Sequence, residues 1–567
     1  MGKLLRQAGQ VVRRVTPAGR VADPGSAEAE APEETDHALP TAPVPAPRFD
    51  RLPDLEPLPA GRYVFVVGAV PRNFGGRTAS ILNKCRLLKE LGGVDSTIVT
   101  LNYSAEIEDI SADLRRRGLL VEGVNIVNLH DYFDGDAVPP TEEIRHEVDE
   151  PGMHKIRDED QEVYRYFENG VYRLYKRFDD QGRLLVRDWF NENRARTQRD
   201  EFGLNGRIRR TTYMDLHFNR PRQEIFYRSD GTPYMNKWLV VNPSTMTSRV
   251  ERITLLDSRG RPAEVLDSNV ALIQSYLDKL VGDEHVFLTV ESRRSDNETL
   301  TYQRPNVKHV YVLHNPHVAL PGEDVSAIRP TYRPLFEHRD EVAAIVFLTN
   351  AQRADAEAHF GRRQNFRVIP HPVTPVADSP FEDRDPNLVV MLARLDQQKQ
   401  LSDAIDAFAA VVAAVPAARL EIYGQGPDRD KLQRQIDQLA LRGSVTLMGY
   451  TKDPSAVYRR AALSMLTSKF EGFGLVLLES LAHGCPVVSY DVKYGPNDIV
   501  ADGVNGYLVA PGDTQALAAR VVEVLQDGLR RRRLSERAAA VRTEFSEEAF
   551  VARWSELFRD LDAQGWG

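Results

Sequence analysis

Hydrophobic and polar positions follow two different periods along the chain. From Arg62 to about Asn128, and again from about Asn269 onwards, short apolar runs alternate with segments whose apolar residues recur at helical spacing. Runs such as Tyr63–Val67 and Leu388–Leu392 contain no polar position, which is typical of parallel strands covered on both faces. These two regions therefore predict α/β structure with parallel sheets.

The region between them, from about His130 to Asp267, differs because its apolar residues often alternate with polar ones. Val171–Phe178 and Gln223–Arg228 show this period of two, the spacing of a strand with one buried face. Turn signals recur at Asp180–Gly182, Ser229–Gly231 and Asp257–Gly260. The pattern predicts a β-rich antiparallel insertion in the first α/β domain.

Within residues 1–22, one face of a helix could be shared by Leu4, Leu5, Val11, Val12 and Val15, whereas residues 23–60 show neither period. Nine prolines and nine acidic residues fall within residues 23–60, a composition that buries too little apolar surface to fold, so we expect a disordered linker. Residues 1–22 carry five basic residues and no acid, which would suit weak attachment to an anionic membrane surface; a disordered basic tail fits equally well. The predicted divisions are a tail and linker (1–60), the N-terminal domain in two parts (61–128 and 269–375), the insertion (129–268), and a C-terminal domain (376–567) whose last helix, about Glu547–Ala563, packs back across to the first domain.

Composition narrows the class of protein. A net charge of −9 over 567 residues argues against a general nucleic-acid-binding protein, which usually carries a basic domain. The two cysteines, Cys85 and Cys485, cannot build a disulfide framework or a zinc site, so a reducing cytoplasm is expected. No apolar run is long enough to predict a transmembrane helix, which leaves the inner membrane face as the only expected membrane contact, through residues 1–22.

Candidate chemistry begins with two carboxylates. Glu471 lies in a predicted turn after a buried strand, and Glu479 lies eight residues later on the following predicted helix. Gly472 and Gly474 leave room for a ligand against the backbone, and the free N–H groups at a helix start suit a phosphate. The two carboxylates could therefore bracket a sugar nucleotide, one on the sugar hydroxyls and one on a ribose. The alternative is an ordinary βαβ unit with solvated acids.

Two cations precede this segment. Arg394 and Lys399 stand five positions apart, directly after the predicted strand Leu388–Leu392. An arginine offers planar donors and a lysine a point charge, so the pair could grip a diphosphate from two sides. The alternative is two surface cations.

Taken together, these motifs resemble a known family. The order Arg394-x4-Lys399, then Glu471-Gly-Phe-Gly-Leu with Glu479, then Gly484-Cys-Pro, is similar to that of retaining glycosyltransferases of the GT4 type. The resemblance implies an α/β fold of the GT-B kind, with two Rossmann-like domains facing a cleft. The insertion and Tyr494–Asp498 most resemble the poly(glycerol-phosphate) α-glucosyltransferases and the transferases of serine-rich adhesins.

The resemblance also implies roles. Arg394 and Lys399 would neutralise the leaving nucleoside diphosphate, Glu471 would orient the sugar, and His314 could donate a hydrogen bond near the transferred sugar. With these go the expected substrate-binding residues: Gly75 and Gly76 in the first loop, Gly424 and Tyr450 at the nucleobase, and the motif residues Phe473, Gly474, Leu475 and Glu479. His309, His314 and His317 straddle a strand and a loop with no second cluster to complete a metal site. The resembled two-domain class needs no metal, so neither a metal nor another cofactor is expected.

The expected activity is retaining transfer of glucose or N-acetylglucosamine from a nucleotide-diphosphate sugar, UDP-linked, to a cell-wall polymer such as poly(glycerol-phosphate). Transfer to protein serine is the alternative acceptor, and a non-catalytic partner subunit and an epimerase are the alternative classes. The insertion would serve oligomerisation or acceptor binding: its Arg and Tyr residues could hold a polyanionic acceptor, or could be the solvated face of a meander. No nucleic-acid partner is expected.

Overall fold

The computed structural model describes residues 55–135, 142–158, 161–319 and 327–566. They divide into two compact units, one formed by the described residues from 142 to 267 and the other by the rest of the described chain. The predicted basic tail and the linker as far as residue 54 lie outside the described residues. Among those described, no helix is both long and apolar enough to cross a membrane.

The larger unit contains an N-terminal Rossmann-like domain built on a seven-stranded parallel sheet. Strands and helices are numbered along the whole chain, and the strands of this sheet are β1 (Arg62–Val67), β2 (Ser96–Thr100), β3 (Val124–Asn128), β14 (Val286–Val290), β15 (Val307–Val312), β16 (Ala344–Phe347) and β17 (Phe366–Val368). Their order is β17-β16-β15-β14-β1-β2-β3, so the strands before and after the insertion close one sheet through the β1–β14 pair. Its helices are α1 (Gly76–Glu90), α2 (Ile107–Arg116), α3 (Leu129–Asp134), α4 (Asn269–Val281), α5 (Asp296–Leu300), α6 (Arg333–Glu337) and α7 (Asn350–Phe360).

The boundaries of this domain differ from the predicted ones in three places. Helix α1 begins at Gly76, a residue predicted to lie in the first loop, because a glycine in a first turn, whose N–H groups are unpaired in any case, costs little. Helix α3, predicted to lie in the insertion, belongs to the larger unit, where Tyr132 packs edge-on against Tyr276. The end of the predicted disordered linker is ordered, and the carbonyl of Glu56 accepts a hydrogen bond from α15, a helix described below.

The smaller unit is a ten-stranded antiparallel meander in which every strand pairs with the next along the chain, as the alternation and turns predict. Its strands are β4 (His154–Arg157), β5 (Val163–Glu168), β6 (Val171–Phe178), β7 (Leu184–Phe190), β8 (Arg196–Phe202), β9 (Ile208–Asp215), β10 (Arg220–Tyr227), β11 (Pro233–Asn242), β12 (Thr247–Leu256) and β13 (Pro262–Leu266).

Several arginines of the meander are engaged in ion pairs across its strands. The buried carboxylate of Asp188 accepts hydrogen bonds from Arg199 at 2.8 and 2.9 Å, and that of Asp200 from Arg187 at 3.0 and 3.2 Å. Buried carboxylates need such partners, so these arginines stabilise the sheet itself.

The C-terminal Rossmann-like domain completes the larger unit. Its parallel sheet has the order β20-β19-β18-β21-β22-β23, with strands β18 (Asp385–Leu392), β19 (Arg419–Tyr423), β20 (Val445–Gly449), β21 (Ala461–Leu466), β22 (Val487–Tyr490) and β23 (Gly506–Val509). Its helices are α8 (Leu401–Ala414), α9 (Arg429–Gln438), α10 (Pro454–Arg460), α11 (Leu475–Ala482), α12 (Pro496–Ile499), α13 (Thr514–Gln526) and α14 (Gly528–Ala538).

The last helix, α15 (Glu547–Ala563), crosses back to the N-terminal sheet. The ring of Phe558 lies 5.0 Å from that of Tyr63 and 4.9 Å from that of Phe287. Glu547 forms an ion pair of 2.6 Å with Arg86 on α1. The helix therefore ties the two Rossmann-like domains together.

Candidate active site

Glu471 lies in the loop that leaves β21 and holds a buried ion pair with Lys399. The Lys399 Nζ atom is 3.0 and 3.3 Å from the two carboxylate oxygens, and the Ser468 hydroxyl donates to Oε1 at 2.5 Å. Lys399 reaches it because β18 and β21 are neighbours in the sheet, which brings the loops at their carboxyl ends together. The structure thus unites two residues that the sequence places in separate motifs.

Arg394 lies on the same loop as Lys399, directly after β18. Its guanidinium donates to Gln398 at 3.0 Å and pairs with Asp396, whose carboxylate also accepts the Lys399 backbone N–H at 3.2 Å. The loop therefore presents two cations on a backbone held by Asp396, an arrangement suited to a diphosphate.

Helix α11 starts directly after the loop that carries Glu471. Gly474 precedes it with φ of +90°, a left-handed conformation in which only glycine is unstrained, so the turn into the helix depends on this residue. Leu475 is the first helical residue, and Glu479 is buried within the helix. Backbone N–H groups at a helix start favour an anion, and here they follow the loop that carries Glu471.

The Glu471 loop also touches the N-terminal domain. A Cβ atom on Gly472 would lie 2.0 Å from the carbonyl oxygen of His314, so only glycine fits there. The buried ring of Phe473 packs edge-on against His371, with centroids 5.3 Å apart. The backbone of His314 therefore lies beside the Glu471 loop.

His314 belongs to a buried ionic chain. Its Nε2 atom lies 2.6 Å from Glu291 Oε2, and Glu291 Oε1 lies 2.6 Å from Lys84 Nζ. Burial alone would raise the pKa of Glu291, but the charge of Lys84 and the hydrogen bond with His314 lower this pKa to about 2. Burial lowers the pKa of His314, and Glu291 opposes that shift.

The backbone of Glu471 is paired with the segment Lys493–Asp498. The Glu471 N–H donates to the Lys493 carbonyl at 3.0 Å, and the Tyr494 N–H donates to the Glu471 carbonyl at 2.7 Å. The side chains of Lys493 and Tyr494 both reach Asp355 on α7, at 2.6 and 2.7 Å. Asp498 accepts the backbone N–H of Asn350 at the start of α7, at 2.8 Å. The segment therefore binds α7 of the N-terminal domain through its side chains, while its backbone holds Glu471 in place.

Replacing Asp355 with alanine is expected to reduce the free energy of unfolding by about 1–3 kcal/mol, because the buried Tyr494 hydroxyl loses its acceptor. Chemical denaturation measures the change. The control is Lys493→Met, which breaks only the more exposed pair and should cost less than about 1 kcal/mol. Equal effects of the two substitutions would contradict the importance of the Tyr494 hydrogen bond.

The other predicted residues are placed as follows. Gly75 is extended and precedes α1, and Gly76 is its first residue. A Cβ atom on Gly424 would lie 1.8 Å from the carbonyl oxygen of Ala393, so close backbone packing alone requires glycine there. Tyr450 is exposed at the end of β20. The structure thus explains Gly424 without a ligand.

Sequence reasoning missed Lys84, Glu291, Ser468 and Asp355. One signal existed for Lys84, which shares the buried face of α1 with Ile81 and Leu88. A second existed for Glu291, which follows the fully buried strand β14 directly. A charged residue at either position requires a buried partner.

The histidines considered for a metal do not meet. His309 and His317 are buried, and burial lowers the pKa of each to about 4. Within the described ranges, no group of three or more His, Cys, Asp or Glu side chains could hold a metal ion.

Comparison with known proteins shows which family and which enzymes this chain is similar to. Residues 376–541 match the family model of glycosyl transferases group 1. The chain is 26% identical over 520 residues to a Bacillus subtilis poly(glycerol-phosphate) alpha-glucosyltransferase, covering 88% of this chain and 75% of that protein. It is 24% identical over 467 residues to the GtfA subunit of a Streptococcus gordonii UDP-N-acetylglucosamine–peptide N-acetylglucosaminyltransferase, covering 77% and 87%.

Among solved structures, the fold is similar to that of a Staphylococcus aureus TarM mutant in complex with fondaparinux, alpha-GlcNAc-glycerol and UDP. The TM-score is 0.74 with 23% identity, over 88% of this chain and 100% of that one. The fold is therefore GT-B, as the sequence motifs implied. The match to the group 1 family model and the relatives named for glycosyl transfer identify the protein as a glycosyltransferase. More particularly, residues 376–541 are a group 1 glycosyltransferase domain.

Proposed function

We propose that the protein transfers glucose or N-acetylglucosamine from a UDP-sugar to a cell-wall polymer of the poly(glycerol-phosphate) type, with retention at the anomeric carbon. The observation that carries the proposal is the buried Lys399–Glu471 pair beside Arg394 at the start of α11. The Bacillus subtilis relative, named for glucosyl transfer to poly(glycerol-phosphate), supports the donor sugar and the acceptor class.

The donor diphosphate would lie against Arg394, Lys399 and the N–H groups at the start of α11. During transfer the bond from the anomeric carbon to the phosphate oxygen breaks, and a bond to the acceptor oxygen forms on the same face. The acceptor proton passes to the leaving phosphate. Preorganised cations stabilise the charge that grows on UDP, which is the largest contribution in many enzymes. Glu471 orients the sugar hydroxyls, and Glu479 the ribose.

Protein serine is the second candidate acceptor. The Streptococcus gordonii relative, named for transfer of N-acetylglucosamine to a peptide, supports it. The intact set of Arg394, Lys399 and Glu471 and the family match argue against a non-catalytic partner subunit.

The assay that tests the proposal measures UDP release from UDP-glucose, UDP-N-acetylglucosamine and UDP-galactose. Each donor is offered with poly(glycerol-phosphate), with a serine-rich peptide, and alone. Release that depends on the polymer is the expected result, and release that depends on the peptide would move the assignment to the second candidate. Interconversion of donors without an acceptor would indicate an epimerase, and no release with any donor would overturn both transfer proposals.

We propose further that transfer needs no metal, because Arg394, Lys399 and α11 supply the positive charge that a divalent ion would otherwise provide at the diphosphate. Activity should therefore survive dialysis against EDTA with less than about a twofold change. Loss of activity in EDTA that Mg²⁺ or Mn²⁺ restores would contradict the prediction.

Two predictions about partners concern regions outside the active site, and each has a separate test. We propose that the meander serves oligomerisation or acceptor binding, and the mass measured by light scattering, with and without polymer, separates the two. Membrane attachment through residues 1–22 concerns residues outside those described, and co-sedimentation with anionic vesicles tests it.

A further inference from the structure

A buried chain of three ionisable side chains runs through the N-terminal domain to the donor loop. Lys84 on α1 contacts Glu291 at the end of β14, and Glu291 contacts His314 just beyond β15, each at 2.6 Å. The side chains of Lys84 and Glu291 are only 3% and 0% exposed, and the Lys84 ammonium also lies 4.2 Å from the ring centre of Trp554. No sequence motif contains Lys84 or Glu291, and α1 could pack without a buried charge.

The balance of charge in this chain favours a neutral His314. Lys84 and Glu291 cancel each other, so a protonated imidazole would leave a net positive charge that is buried. The groups that face His314 are the anion Glu291, the cations Lys84 and Arg77, and His371, whose ring stacks at 5.8 Å. Burial, Lys84 and Arg77 all lower the pKa of His314 and so oppose a second proton on its ring, whereas Glu291 favours one.

We propose that Lys84 and Glu291 are positioning residues that hold the His314 proton on Nε2, so that Nδ1 keeps its lone pair and accepts a hydrogen bond from a hydroxyl of the bound sugar. A neutral imidazole has one donor and one acceptor nitrogen, and the partner of one nitrogen decides the role of the other. An ionised carboxylate accepts only, so Glu291 takes the N–H. This revises the role expected from the sequence, in which His314 donates.

The inference rests on the proposed function, because an accepting Nδ1 matters only where a sugar lies beside it. The position of the His314 carbonyl supports this premise, because it packs against Gly472, the residue after Glu471.

The principal test is Glu291→Gln, which preserves shape while it inverts the hydrogen bond. Lys84 can only donate, so the new amide must turn its oxygen to Lys84 and its NH2 group to His314. The imidazole proton then moves to Nδ1, which faces the sugar hydroxyl as a donor. We expect kcat/KM to fall by about tenfold to a hundredfold. The nitrogen-15 shifts of the His314 ring, assigned by difference from His314→Gln, should show the proton on Nδ1 instead of Nε2.

A second substitution gives a rescue that a merely structural role does not predict. In Lys84→Met with Glu291→Gln, the amide is free to rotate, so its oxygen can accept from Nε2–H again. The proton should return to Nε2, and most of the activity with it. The pair also removes both buried charges together, so this variant should fold even where the single one does not.

The third test measures the pH dependence of kcat/KM in the single variant Lys84→Met. Burial, Lys84 and Arg77 lower the pKa of His314 while Glu291 raises it, so the removal of Lys84 should shift this pKa upwards. The neutral, accepting form is then lost at low pH and recovered as the pH rises through the new value. The acidic limb of kcat/KM should therefore move to higher pH than in wild type. Lys89→Met, on the same helix but pairing with Asp95 at the surface, is the matched control and should leave the profile unchanged.

Three results would overturn the inference: an Nε2 proton retained in Glu291→Gln, a double variant no more active than the single one, or an acidic limb that does not move in Lys84→Met. Failure of the proposed function is distinguishable from these, since the ring shifts are read without turnover. A wild type that transfers no sugar but shows the Nε2 proton would reject the activity and keep the tautomer.

Discussion

Replacing Lys399 with methionine is expected to lower kcat/KM by about a hundredfold to a thousandfold, the effect of removing one preorganised group that stabilises transition-state charge. Lys399 is buried against Glu471 and lies on the same loop as Arg394, so its ammonium is held in place before the donor arrives. The measurement is steady-state UDP release with the preferred donor and acceptor.

The same substitution leaves Glu471 buried without its cation, which should reduce the free energy of unfolding by about 3–5 kcal/mol. A combined Lys399→Met and Glu471→Gln variant removes both charges and should recover much of this stability while it stays inactive. This variant separates loss of chemistry from loss of fold. Lys431→Met, an exposed lysine on α9 of the same domain, is the matched control and should keep its activity. Near wild-type activity in the folded double variant would contradict the role of Lys399 at the diphosphate.

Most of the fold could be predicted from the spacing of apolar residues along the chain. Helix α4 begins where the α/β pattern resumes after the insertion, and α15 begins and ends where the sequence predicts, because both helices combine a regular apolar face with clear ends. Ser268 and Ser546 cap their N-termini, and Gly282 follows the end of α4. The meander was predictable for the same kind of reason, since each hairpin is a local structure whose turn residues are adjacent in sequence.

The site was predictable only as far as its motifs are local. Glu471 and Lys399 could each be singled out, but their ion pair depends on the crossover that puts β18 beside β21, which no spacing encodes. The contact between Lys84 and Glu291 joins positions 207 residues apart, on either side of the insertion. Gly424 is a different case: the carbonyl of Ala393 already requires a glycine at this position, and its contact with a nucleobase stays a prediction.

Replacing Gly472 with alanine is expected to lower kcat/KM by about a hundredfold, since a misplacement of roughly 1 Å at a reacting centre costs that much. The new Cβ atom would lie 2.0 Å from the carbonyl oxygen of His314 and 3.0 Å from its carbonyl carbon, so the two domains cannot keep their contact. Gly472 does not occupy the left-handed region, and backbone strain therefore adds nothing to the effect.

The displacement of Gly472 should also move Glu471, because the backbone of Glu471 is fixed by hydrogen bonds to a second segment. The N–H and carbonyl of Glu471 are both hydrogen-bonded to Lys493 and Tyr494, whose side chains are tied to Asp355. Either the Glu471 carboxylate moves, or the hydrogen bonds that join Lys493 and Tyr494 to Glu471 and Asp355 break. Both outcomes separate Glu471 from the sugar. Gly443→Ala is the matched control: it lies in the same domain, also outside the left-handed region, and its Cβ would meet no atom within 4 Å. We expect Gly443→Ala to match wild type in kcat/KM and unfolding temperature, whereas a fully active Gly472→Ala would show that the domain contact at His314 does not position Glu471.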